Sequence, residues 1–416
     1  MNNFKKTGIA AAAIALALSG CSTKSEAGAE QGSDGIKTGP GVTDSTITLG
    51  ALTVASGPGA SLGTSVLEGQ QLIVDQVNAD GGICDRDLEL EVRDTALDPQ
   101  RAVAAYNEIK GDVAGISQLL GSAPTAALVD SIEADEMLTL VGGFSADLLG
   151  YEHIQIPGST YDIDMINGLT VLAKQAGLKK GDKVGHVFVE GEAGANALEG
   201  STFAAKNLGL EIVEQQVAPT ATDLTPQVSA LKAAGVKAVL MTVLPPATAS
   251  FVGVSAATGL RVPVLTNSVG WAVQLLGTPA APALEKMLLI ASPAAGPNSD
   301  VPEVKKFIAD YTAANPEGKP ESATLQGGTL MRMMVAALEG ACTSEDLSRE
   351  GITAALRKLP DFNSGVGTTL DFTSPELPPS TTTFLQKPSK AAVGGITDLD
   401  EGMTDPSVED YLASKG

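Results

Sequence analysis

The sequence predicts an α/β protein of two successive lobes, and three observations support this prediction. Short apolar runs that suit buried parallel strands alternate with segments of helical periodicity. This series is interrupted at Pro157–Thr160, and a second series of strands and helices then begins. Pro293–Pro297 and Thr369–Thr373 are predicted as two further crossings between the lobes. A chain of 416 residues is also long enough for two domains.

Glycines and prolines punctuate the predicted first lobe. Ser56–Gly63 is a glycine-rich loop between the first strand and the first helix, and Asp80-Gly81-Gly82 ends that helix. The predicted strands are Thr46–Val54, Leu88–Val92, Val113–Leu119, Met137–Val141 and Tyr151–Ile156, the last containing His153. The predicted helices are Ser65–Asn78, Asp98–Ile109 and Ala126–Glu136.

The second series has the same alternation and ends by returning to the first lobe. Its predicted helices are Tyr161–Ala176, Ala193–Asn207, Asp223–Ala233 and Ala249–Thr258, and its strands are Lys183–Val189, Leu210–Val217, Val236–Val243, Val262–Leu265 and Met287–Ser292. Predicted elements after the second crossing are the helices Val301–Tyr311, Thr324–Gly340 and Arg349–Leu356, the strand Thr381–Gln386 and an acidic tail, Asp398–Asp410. The methionines of the second of these helices are interpreted as core filler.

The stretch Gly115–Ser145 carries the candidate site, because it combines two strands with two glycine turns. Ligands of open α/β sheets lie outside the carboxyl ends of the strands, where both turns fall. Ser122 is predicted as a helix N-cap, and Ser145 adds a second hydroxyl in the next turn. A helix N-terminus with hydroxyls suits a small anion such as a carboxylate. Two ordinary strand–helix turns are the alternative interpretation.

The N-terminus has the features of a bacterial lipoprotein signal. Lys5 and Lys6 precede a short apolar run, Ile9–Leu18, and the sequence Leu-Ser-Gly-Cys then ends at Cys21. This pattern resembles a lipobox, which implies lipidation of Cys21 after removal of residues 1–20. The apolar run is too short to span a bilayer. Residues 21–43 are predicted as the lipid anchor and a flexible tether, and the protein is predicted to be held outside the cytoplasmic membrane.

Charge and cysteine content restrict the partners and the compartment. The net charge is −22, and loss of Lys5 and Lys6 leaves 25 basic against 49 acidic residues, a net charge of −24. Such a chain is not predicted to bind nucleic acid. Cys84 and Cys342 remain as an even pair in an oxidising compartment. They are predicted either to form a disulfide or to remain as two free buried thiols.

The motifs give no indication of catalysis, a cofactor or a metal. The two histidines, His153 and His186, are far apart and have no nucleophile motif nearby. The loop glycines Gly57, Gly59 and Gly63 miss the dinucleotide spacing G-x-G-x-x-G by one residue. No Cys/His spacing typical of a metal site is present. The protein is therefore predicted not to be an enzyme and to hold no cofactor.

Four segments together make the chain resemble the leucine/isoleucine/valine-binding family of periplasmic binding proteins, which supply ABC importers. They are ITLGALTVASGP, GQQLIVDQVNADGGI, LEVRDTALDPQRAV and Gly115–Ser145, and the resemblance covers about residues 46–386. It implies a periplasmic binding protein type I fold, with two Rossmann-like lobes joined by a three-stranded hinge. The implied bounds are 44–157 plus 294–370 for lobe 1, 158–293 plus 371–400 for lobe 2, and 401–416 for a C-terminal tail.

The resemblance also implies a set of ligand-binding positions. Hydroxyl and backbone groups that hold the α-carboxylate of an amino acid in the family match Gly121, Ser122, Gly143 and Ser145. The family's remaining contact positions are occupied here by residues of other chemistry. Its aromatic positions fall on Leu62, Gly194 and Val243 or Leu244. Its carboxylate that binds the ligand's ammonium falls on Ser268 or Asn267. The predicted binding residues near the cleft are Ser56, Leu62, Gly121, Ser122, Gly143, Phe144, Ser145, Gly194, Leu244, Ser268 and Trp271.

The resemblance implies an extracytoplasmic, monomeric binding protein that delivers a small carboxylate-bearing ligand to an ABC transporter permease. Two departures from the family pattern change the expected ligand. A buried ammonium without an anionic partner is costly, and loss of the aromatics widens the pocket. The residues therefore favour an aromatic or aliphatic carboxylate or an amide over leucine, isoleucine or valine. A sensory binding module on the same fold is the alternative function. Trp271, the only tryptophan, either lines the cleft or packs at the lobe surface.

Overall fold

The first lobe is built on a five-stranded parallel sheet. The computed structural model describes residues 30–57 and 59–415, so the predicted signal peptide and Cys21 lie outside the described residues. Across the sheet, the strands are in the order Asp87–Asp94, Thr46–Thr53, Gly115–Leu119, Thr139–Val141 and Ile154–Gln155. Because all five strands run the same way, their carboxyl ends lie along one edge of the sheet.

The second lobe contains a seven-stranded mixed sheet. Five strands are parallel, in the order Glu211–Val217, Lys183–Val189, Ala238–Thr242, Val264–Asn267 and Leu288–Ser292. Phe384–Pro388 then pairs antiparallel with the last of these strands, and Ile396–Asp398 pairs antiparallel with Phe384–Pro388. The predicted α/β architecture of two lobes is confirmed.

Helices cover both sheets. In chain order they are α1 (Ala60–Ala79), α2 (Pro99–Ile109), α3 (Ser122–Ala126), α4 (Val129–Ala134), α5 (Tyr161–Ala176), α6 (Glu192–Leu208), α7 (Thr225–Ala234), α8 (Pro245–Thr258), α9 (Ala281–Met287), α10 (Pro302–Ala314), α11 (Ser322–Thr343), α12 (Arg349–Leu356) and α13 (Ser407–Ala413). Short strands at Glu30–Gln31, Lys37–Thr38 and Asp346–Leu347 form a small separate sheet. In the part of the chain that the structure describes, no helix has the length and apolar character needed to cross a membrane.

Helices α1 and α11 pack together and complete the core of the first lobe. Gly69 permits this close approach, because a Cβ there would lie 2.0 Å from the carbonyl oxygen of Thr324. Met331, Met333 and Met334 are fully buried in this core, as predicted. Cys84, in the turn after α1, is disulfide-bonded to Cys342 near the end of α11, with Cα atoms 6.0 Å apart. The disulfide therefore joins the ends of two packed helices.

Three segments connect the lobes: 156–160, 293–301 and 373–383. The prediction that Thr369–Thr373 forms the third crossing is wrong. Thr369–Leu370 pairs with Phe362–Asn363 in a hairpin, and Leu370 and Phe372 are buried in the core of the first lobe. The crossing itself follows this hairpin.

One buried carboxylate ties two of the crossing segments together. Asp164, in the first turn of α5, accepts hydrogen bonds from Ser159 Oγ at 2.7 Å and from Thr383 Oγ1 at 2.8 Å. Ser159 belongs to the first crossing and Thr383 to the third. Asn167, one turn later, donates to Thr381 O and Thr383 Oγ1 at 3.0 and 2.9 Å. The start of α5 is therefore an anchor for both hinge strands.

Replacing Asp164 with Asn should make stability less dependent on pH. Burial raises the pKa of Asp164 to about 7, although the two hydroxyl donors act in the opposite direction. In an unfolded chain, the pKa of an aspartate is about 3.9. Between these values the folded protein binds more protons than the unfolded chain, so the free energy of unfolding falls as pH rises. The wild type should lose about 2 kcal/mol from this group between pH 5 and 8.

The Asp164→Asn variant keeps an oxygen that accepts both hydrogen bonds but cannot ionise. Urea unfolding at several pH values measures the difference between the two proteins. Asp112→Asn, at an exposed position, is the matched control and should show the wild-type pH dependence. An Asp164→Asn variant that loses stability with pH as steeply as the wild type would show that Asp164 is not the titrating group.

Several predicted elements differ from the structure for local reasons. The predicted helix Ala126–Glu136 is divided into α3 and α4. Thr125 Oγ1 donates back to Gly121 O, and Leu128 N bonds to Thr125 O in a tighter turn, which interrupts the helix. Helix α1 begins at Ala60, inside the predicted glycine loop. The short helix α9 was not predicted, and α13 lies in the predicted tail, where Tyr411 OH donates to Asp162 Oδ2 at 2.8 Å.

Candidate functional site

A cavity of about 210 Å³ lies between the two lobes. It is bounded by the carboxyl ends of strands from both sheets, by two of the crossing segments and by the N-terminal turns of α1 and α11. The larger apolar side chains of the lining are Val54, Leu62, Val66, Leu97, Leu120, Phe144, Val189, Val243, Leu244, Val269, Trp271 and Val366. Its polar side chains are Ser122, Thr242, Ser268, Ser292, Glu321, Ser322, Gln326 and Thr329, beside the phenol of Tyr161. A cavity of this kind suits a ligand with a substantial apolar part.

The wall formed by the first lobe contains a serine whose hydroxyl makes no well-formed hydrogen bond within the described chain. Gly121 has a φ of 95°, a backbone conformation that favours glycine, and it turns the chain from the strand Gly115–Leu119 into α3. Ser122 follows as the first residue of α3 and is 5% exposed. Among the described residues, its Oγ has no partner of good hydrogen-bond geometry. The predicted N-cap role of Ser122 is wrong, because Gly121 occupies that position and no side chain caps α3.

Tyr161 lies beside Ser122 at the start of α5. Burial raises the pKa of the Tyr161 phenol to about 12, although the nearby Phe144 backbone and Ser122 hydroxyl act in the opposite direction. The phenol is therefore protonated at neutral pH and is a potential hydrogen-bond donor. The Phe144 ring packs edge-on against the ring of Tyr161, with centroids 5.8 Å apart. This arrangement places hydroxyl groups within a largely apolar wall.

In the second lobe, a hydrogen-bond chain ends at the cavity. Ser201 Oγ donates to Leu198 O, and this leaves Ser201 Oγ to accept from His186 Nδ1 at 2.8 Å. Burial lowers the pKa of His186 to about 3, so the ring is neutral. Its Nε2 then accepts from Thr242 Oγ1 at 3.2 Å. Thr242 lines the cavity and, with its proton directed to His186, can only accept a hydrogen bond from a ligand.

Trp271 and Ser268 continue the second wall beyond the strand Val264–Asn267. Trp271 is 3% exposed, and its indole Nε1 has no partner among the described residues. The structure thus decides between the two alternatives for this residue, because Trp271 lines the cavity. Ser268 also lines it, in a short 3₁₀ turn, Ser268–Gly270.

The cavity has one charged side chain among its described lining residues, Glu321. Glu321 is the N-cap of α11 and is 2% exposed. Its Oε1 accepts from Ser65 Oγ at 2.5 Å, and its Oε2 accepts from the backbone N–H of Val273 at 3.2 Å. Ser65 belongs to the first lobe and Val273 to the second, so this carboxylate bridges the two lobes at the cavity wall.

Seven of the eleven predicted binding residues line the cavity: Leu62, Gly121, Ser122, Phe144, Leu244, Ser268 and Trp271. The other four lie nearby with other partners. Ser56 Oγ donates to Asp94 Oδ2 at 2.7 Å, and Gly143 backs Ser122, where a Cβ would lie 2.8 Å from Ser122 Oγ. Gly194 packs on the Val189 carbonyl.

Ser145, the fourth of these residues, does not join Ser122 in the cavity. It caps the 3₁₀ turn Ala146–Leu148, where its Oγ accepts from Asp147 N at 3.4 Å. It also contacts Asp147 Oδ2 at 3.3 Å and Glu192 O at 3.5 Å. The expectation that the two hydroxyls hold one anion together is therefore corrected. A serine after a strand either caps the next turn or faces a ligand, and the local sequence does not distinguish the two.

Sequence reasoning missed Glu321, Tyr161 and Thr242 as cavity residues. None of these three is among the predicted binding residues. The pattern Glu-Ser-Ala-Thr at 321–324 is a reciprocal capping box, with Thr324 Oγ1 accepting from Glu321 N at 3.2 Å. That pattern predicts a helix start, but it does not reveal that the helix start faces the other lobe.

No metal-binding group of His, Cys, Asp and Glu side chains occurs in the described ranges. The cavity lining, as far as the structure describes it, also has no lysine, arginine or histidine. Among the described lining residues, any anionic ligand group would thus meet only neutral donors, which are hydroxyls, the indole, the Gln326 amide and backbone N–H groups. The geometry supports binding by burial of apolar surface with a few neutral hydrogen-bond donors and acceptors.

Known proteins resemble this chain in sequence and in structure. The sequence profile of the periplasmic binding protein family matches residues 46–391. A fatty acid ABC transporter substrate-binding protein from Thermomonospora curvata is 39% identical, with a TM-score of 0.91, over 92% of this chain and 98% of that one. A branched-chain amino acid ABC transporter protein from Thermus thermophilus with bound valine is 19% identical, with a TM-score of 0.78, over 88% of this chain and 98% of that one. At that identity, the likeness shows the fold alone.

A curated Leu/Ile/Val-binding protein of Rhizobium johnstonii is 39% identical to this chain over 75 residues. That match covers 18% of this chain and 20% of the relative. A homologue of the same kind from Brucella melitensis is 35% identical over 83 residues and matches across 22% of its length. The chain therefore matches about a fifth of the length of these curated relatives.

Proposed function

Because the chain belongs to the periplasmic binding protein family of ABC transporter substrate-binding proteins, we propose that its interlobe cavity holds a long-chain aliphatic carboxylic acid. The single observation that carries this proposal is the lining of the cavity, which is mostly apolar and has no cationic side chain in its described part. Such a wall stabilises a hydrocarbon chain, at about 0.8 kcal/mol for each buried CH₂ group. The likeness to the Thermomonospora fatty acid protein supports the same ligand class.

Branched-chain amino acids are the second candidate, and one observation favours them. Glu321 supplies a carboxylate at the cavity wall, and a ligand ammonium needs such a partner. However, the α-carboxylate of an amino acid would then need its own donors. Among the described lining residues, only neutral groups such as Ser122, Ser322 and Gln326 are available for it, and Ser145 caps a turn instead. A small zwitterion would also leave much of the apolar wall without contact. The long-chain acid uses more of the observed surface.

We further propose that the protein is attached to the outer face of the cytoplasmic membrane through a lipid on Cys21. The support is the sequence pattern at residues 5–21. The protein would act as a monomer, deliver its ligand to the permease of an ABC importer and perform no chemistry on it. Binding and release would follow from movement of the lobes about the three crossing segments. Opening would expose the cavity, and closing would enclose a ligand.

A calorimetric titration series with the soluble body, residues 22–416, tests the proposed ligand class. The ligands are straight-chain acids of 6, 8, 10 and 12 carbons, benzoate, leucine and valine. We expect affinity to rise about fourfold for each added CH₂ group until the cavity is filled. Leucine and valine should not bind in the same concentration range. Tight binding of leucine with no chain-length dependence among the acids would instead establish the amino acid function.

A further inference from the structure

Glu321 is a buried carboxylate that has neutral partners only. Its described hydrogen-bond donors are Ser65 Oγ, the N–H of Val273 and, in the capping box, the N–H of Thr324. No lysine, arginine or histidine of the described chain forms an ion pair with it. A carboxylate offers about four lone-pair sites. One site therefore remains for a ligand in the cavity that Glu321 lines.

The groups around Glu321 do not supply a compensating positive charge. Tyr311 of α10 is a titratable group near Glu321: burial and Glu68 raise the pKa of its phenol most, and the Glu321 carboxylate adds to that effect. Tyr311 OH donates to Glu68 of α1 at 2.6 Å. The facing segment of the second lobe, Trp271 to Gly277, has no titratable side chain. Across the cavity, Tyr161 is a neutral phenol.

This charge balance restricts the polar end of the ligand. An ionised carboxylate placed in the cavity would have no cation to pair with and would be repelled by Glu321 in a poorly hydrated space. Two carboxyl groups that share one such site hold a proton between them rather than ionise together. A ligand with a hydroxyl-type proton can instead donate it to the remaining lone pair of Glu321.

An ammonium group fits this site less well than a hydroxyl proton. An ammonium has three N–H donors and needs three acceptors when it is buried. Glu321 has one free lone-pair site and is the one anionic side chain among the described lining residues, whose other polar side chains are hydroxyls and the Gln326 amide. A hydroxyl or a protonated carboxyl group needs only one acceptor for its proton.

We infer that Glu321 determines ligand specificity by accepting a hydrogen bond from an uncharged polar end, so that a long-chain acid binds together with one proton. This inference rests on the proposed function and names the protonation state of the ligand in that site. Overall, the complex contains one more proton, taken from solvent, than the free protein and the ionised acid together. Alcohols of the same chain length bind by the same hydrogen bond without proton uptake.

The test compares four ligands of one chain length: dodecanoic acid, 1-dodecanol, dodecylamine and methyl dodecanoate. Titrations of the wild type run from pH 5.5 to 8.5, in buffers of different ionisation enthalpy to count protons. We expect the Kd for the acid to rise about tenfold for each pH unit, since free carboxyl groups ionise at pH values of about 4–5. Proton uptake should be close to one per acid bound. The Kd for dodecanol should not change with pH, and the ester and the amine should bind at least tenfold more weakly than the alcohol.

Glu321→Gln is the variant that isolates the carboxylate. Its side-chain amide keeps one acceptor oxygen, for Ser65, and replaces the oxygen that accepts from Val273 N–H with an NH₂ group that can donate to an ionised ligand. The pH dependence for dodecanoic acid should then flatten, with tighter binding at pH 8.5 than in the wild type. Glu339→Gln, at an exposed position on the same helix, removes the same charge and should behave as the wild type.

The outcomes separate this inference from the proposed function. Acid binding with chain-length dependence but without proton uptake would overturn the role of Glu321 and leave the long-chain acid function standing. Tighter binding of dodecylamine than of dodecanol would overturn it in favour of an ammonium partner. Failure of all four ligands to bind would remove the proposed function and this inference with it. The wild-type ligand series decides these cases even if Glu321→Gln does not fold.

Discussion

Replacing Ala193 with Trp should raise the Kd for a twelve-carbon acid at least a hundredfold while the protein remains folded. Ala193 is half-buried in the first turn of α6 and lines the cavity from the second lobe. An indole at this position would occupy space that the ligand chain needs. Displacing three or four CH₂ groups from the apolar wall costs about 2–3 kcal/mol, and loss of closure adds to this. Calorimetric titration measures the effect.

Ala195→Trp is the matched control for this substitution. Ala195 is two residues further along the same helix, is exposed and is not among the lining residues. It should leave the Kd within a factor of two or three of the wild type. Equal melting temperatures of the two variants would show that the fold is intact. If Ala193→Trp bound the acid as well as Ala195→Trp, the ligand could not lie in the interlobe cavity.

Removing the disulfide should cause the largest loss of stability among these predictions. A Cys84→Ala/Cys342→Ala double variant loses a covalent link between residues 258 positions apart. Links that close such long loops typically contribute about 2–4 kcal/mol, because they restrict the unfolded chain. Cys84 also adopts a left-handed backbone conformation, with a φ of 51°. Guanidinium unfolding of the oxidised wild type and of the double variant measures the difference.

The wild type under reducing conditions is the control for this comparison, and it should lose about as much stability as the double variant. The secreted wild type should show no titratable thiol when it is denatured without reductant. Two titratable thiols in that assay, or equal stability of the oxidised wild type and the double variant, would mean that the bond does not form in the secreted protein. Ligand affinity should change little, since the disulfide lies at the far ends of α1 and α11 from the cavity.

The architecture could be predicted from the sequence because its signals are local and periodic. Buried strands such as Ala238–Thr242 are predominantly apolar runs, and the glycine turns after strands such as Gly115–Leu119 mark the edge where ligands bind. The match of Gly121, Ser122 and Trp271 to the cavity follows from that rule and from the family resemblance. The crossing near Thr369–Thr373 was misplaced because Thr369–Leu370 pairs with Phe362–Asn363 in a short hairpin, which the sequence does not distinguish from a linking strand.

Contacts between distant segments could not be predicted in this way. Glu321 and Ser65 are 256 positions apart in the chain, and Val273 belongs to the other lobe. The sequence around Glu321 indicates only the start of α11. Because the family's ammonium-binding carboxylate falls on Ser268 or Asn267 in this chain, the sequence suggested a site without any carboxylate. In the folded protein, packing of the lobes places the carboxylate of Glu321, at the start of α11, in the cavity wall. The role of Ser145 also could not be predicted from the neighbouring residues. A serine after a strand can cap the next turn, as Ser145 does, or face a ligand, and the local sequence allows both equally well.

The most direct test of a long-chain acid in the interlobe cavity is the fluorescence of Trp271, the only tryptophan of the chain and a residue of the cavity wall. Titration of the delipidated soluble body with dodecanoic acid at pH 6 should change the intensity and wavelength of its emission saturably. Leucine and valine at the same concentrations should cause no change. A saturable change with leucine or valine, and none with any acid of 6 to 12 carbons, would contradict the proposed ligand and restore the branched-chain amino acid function.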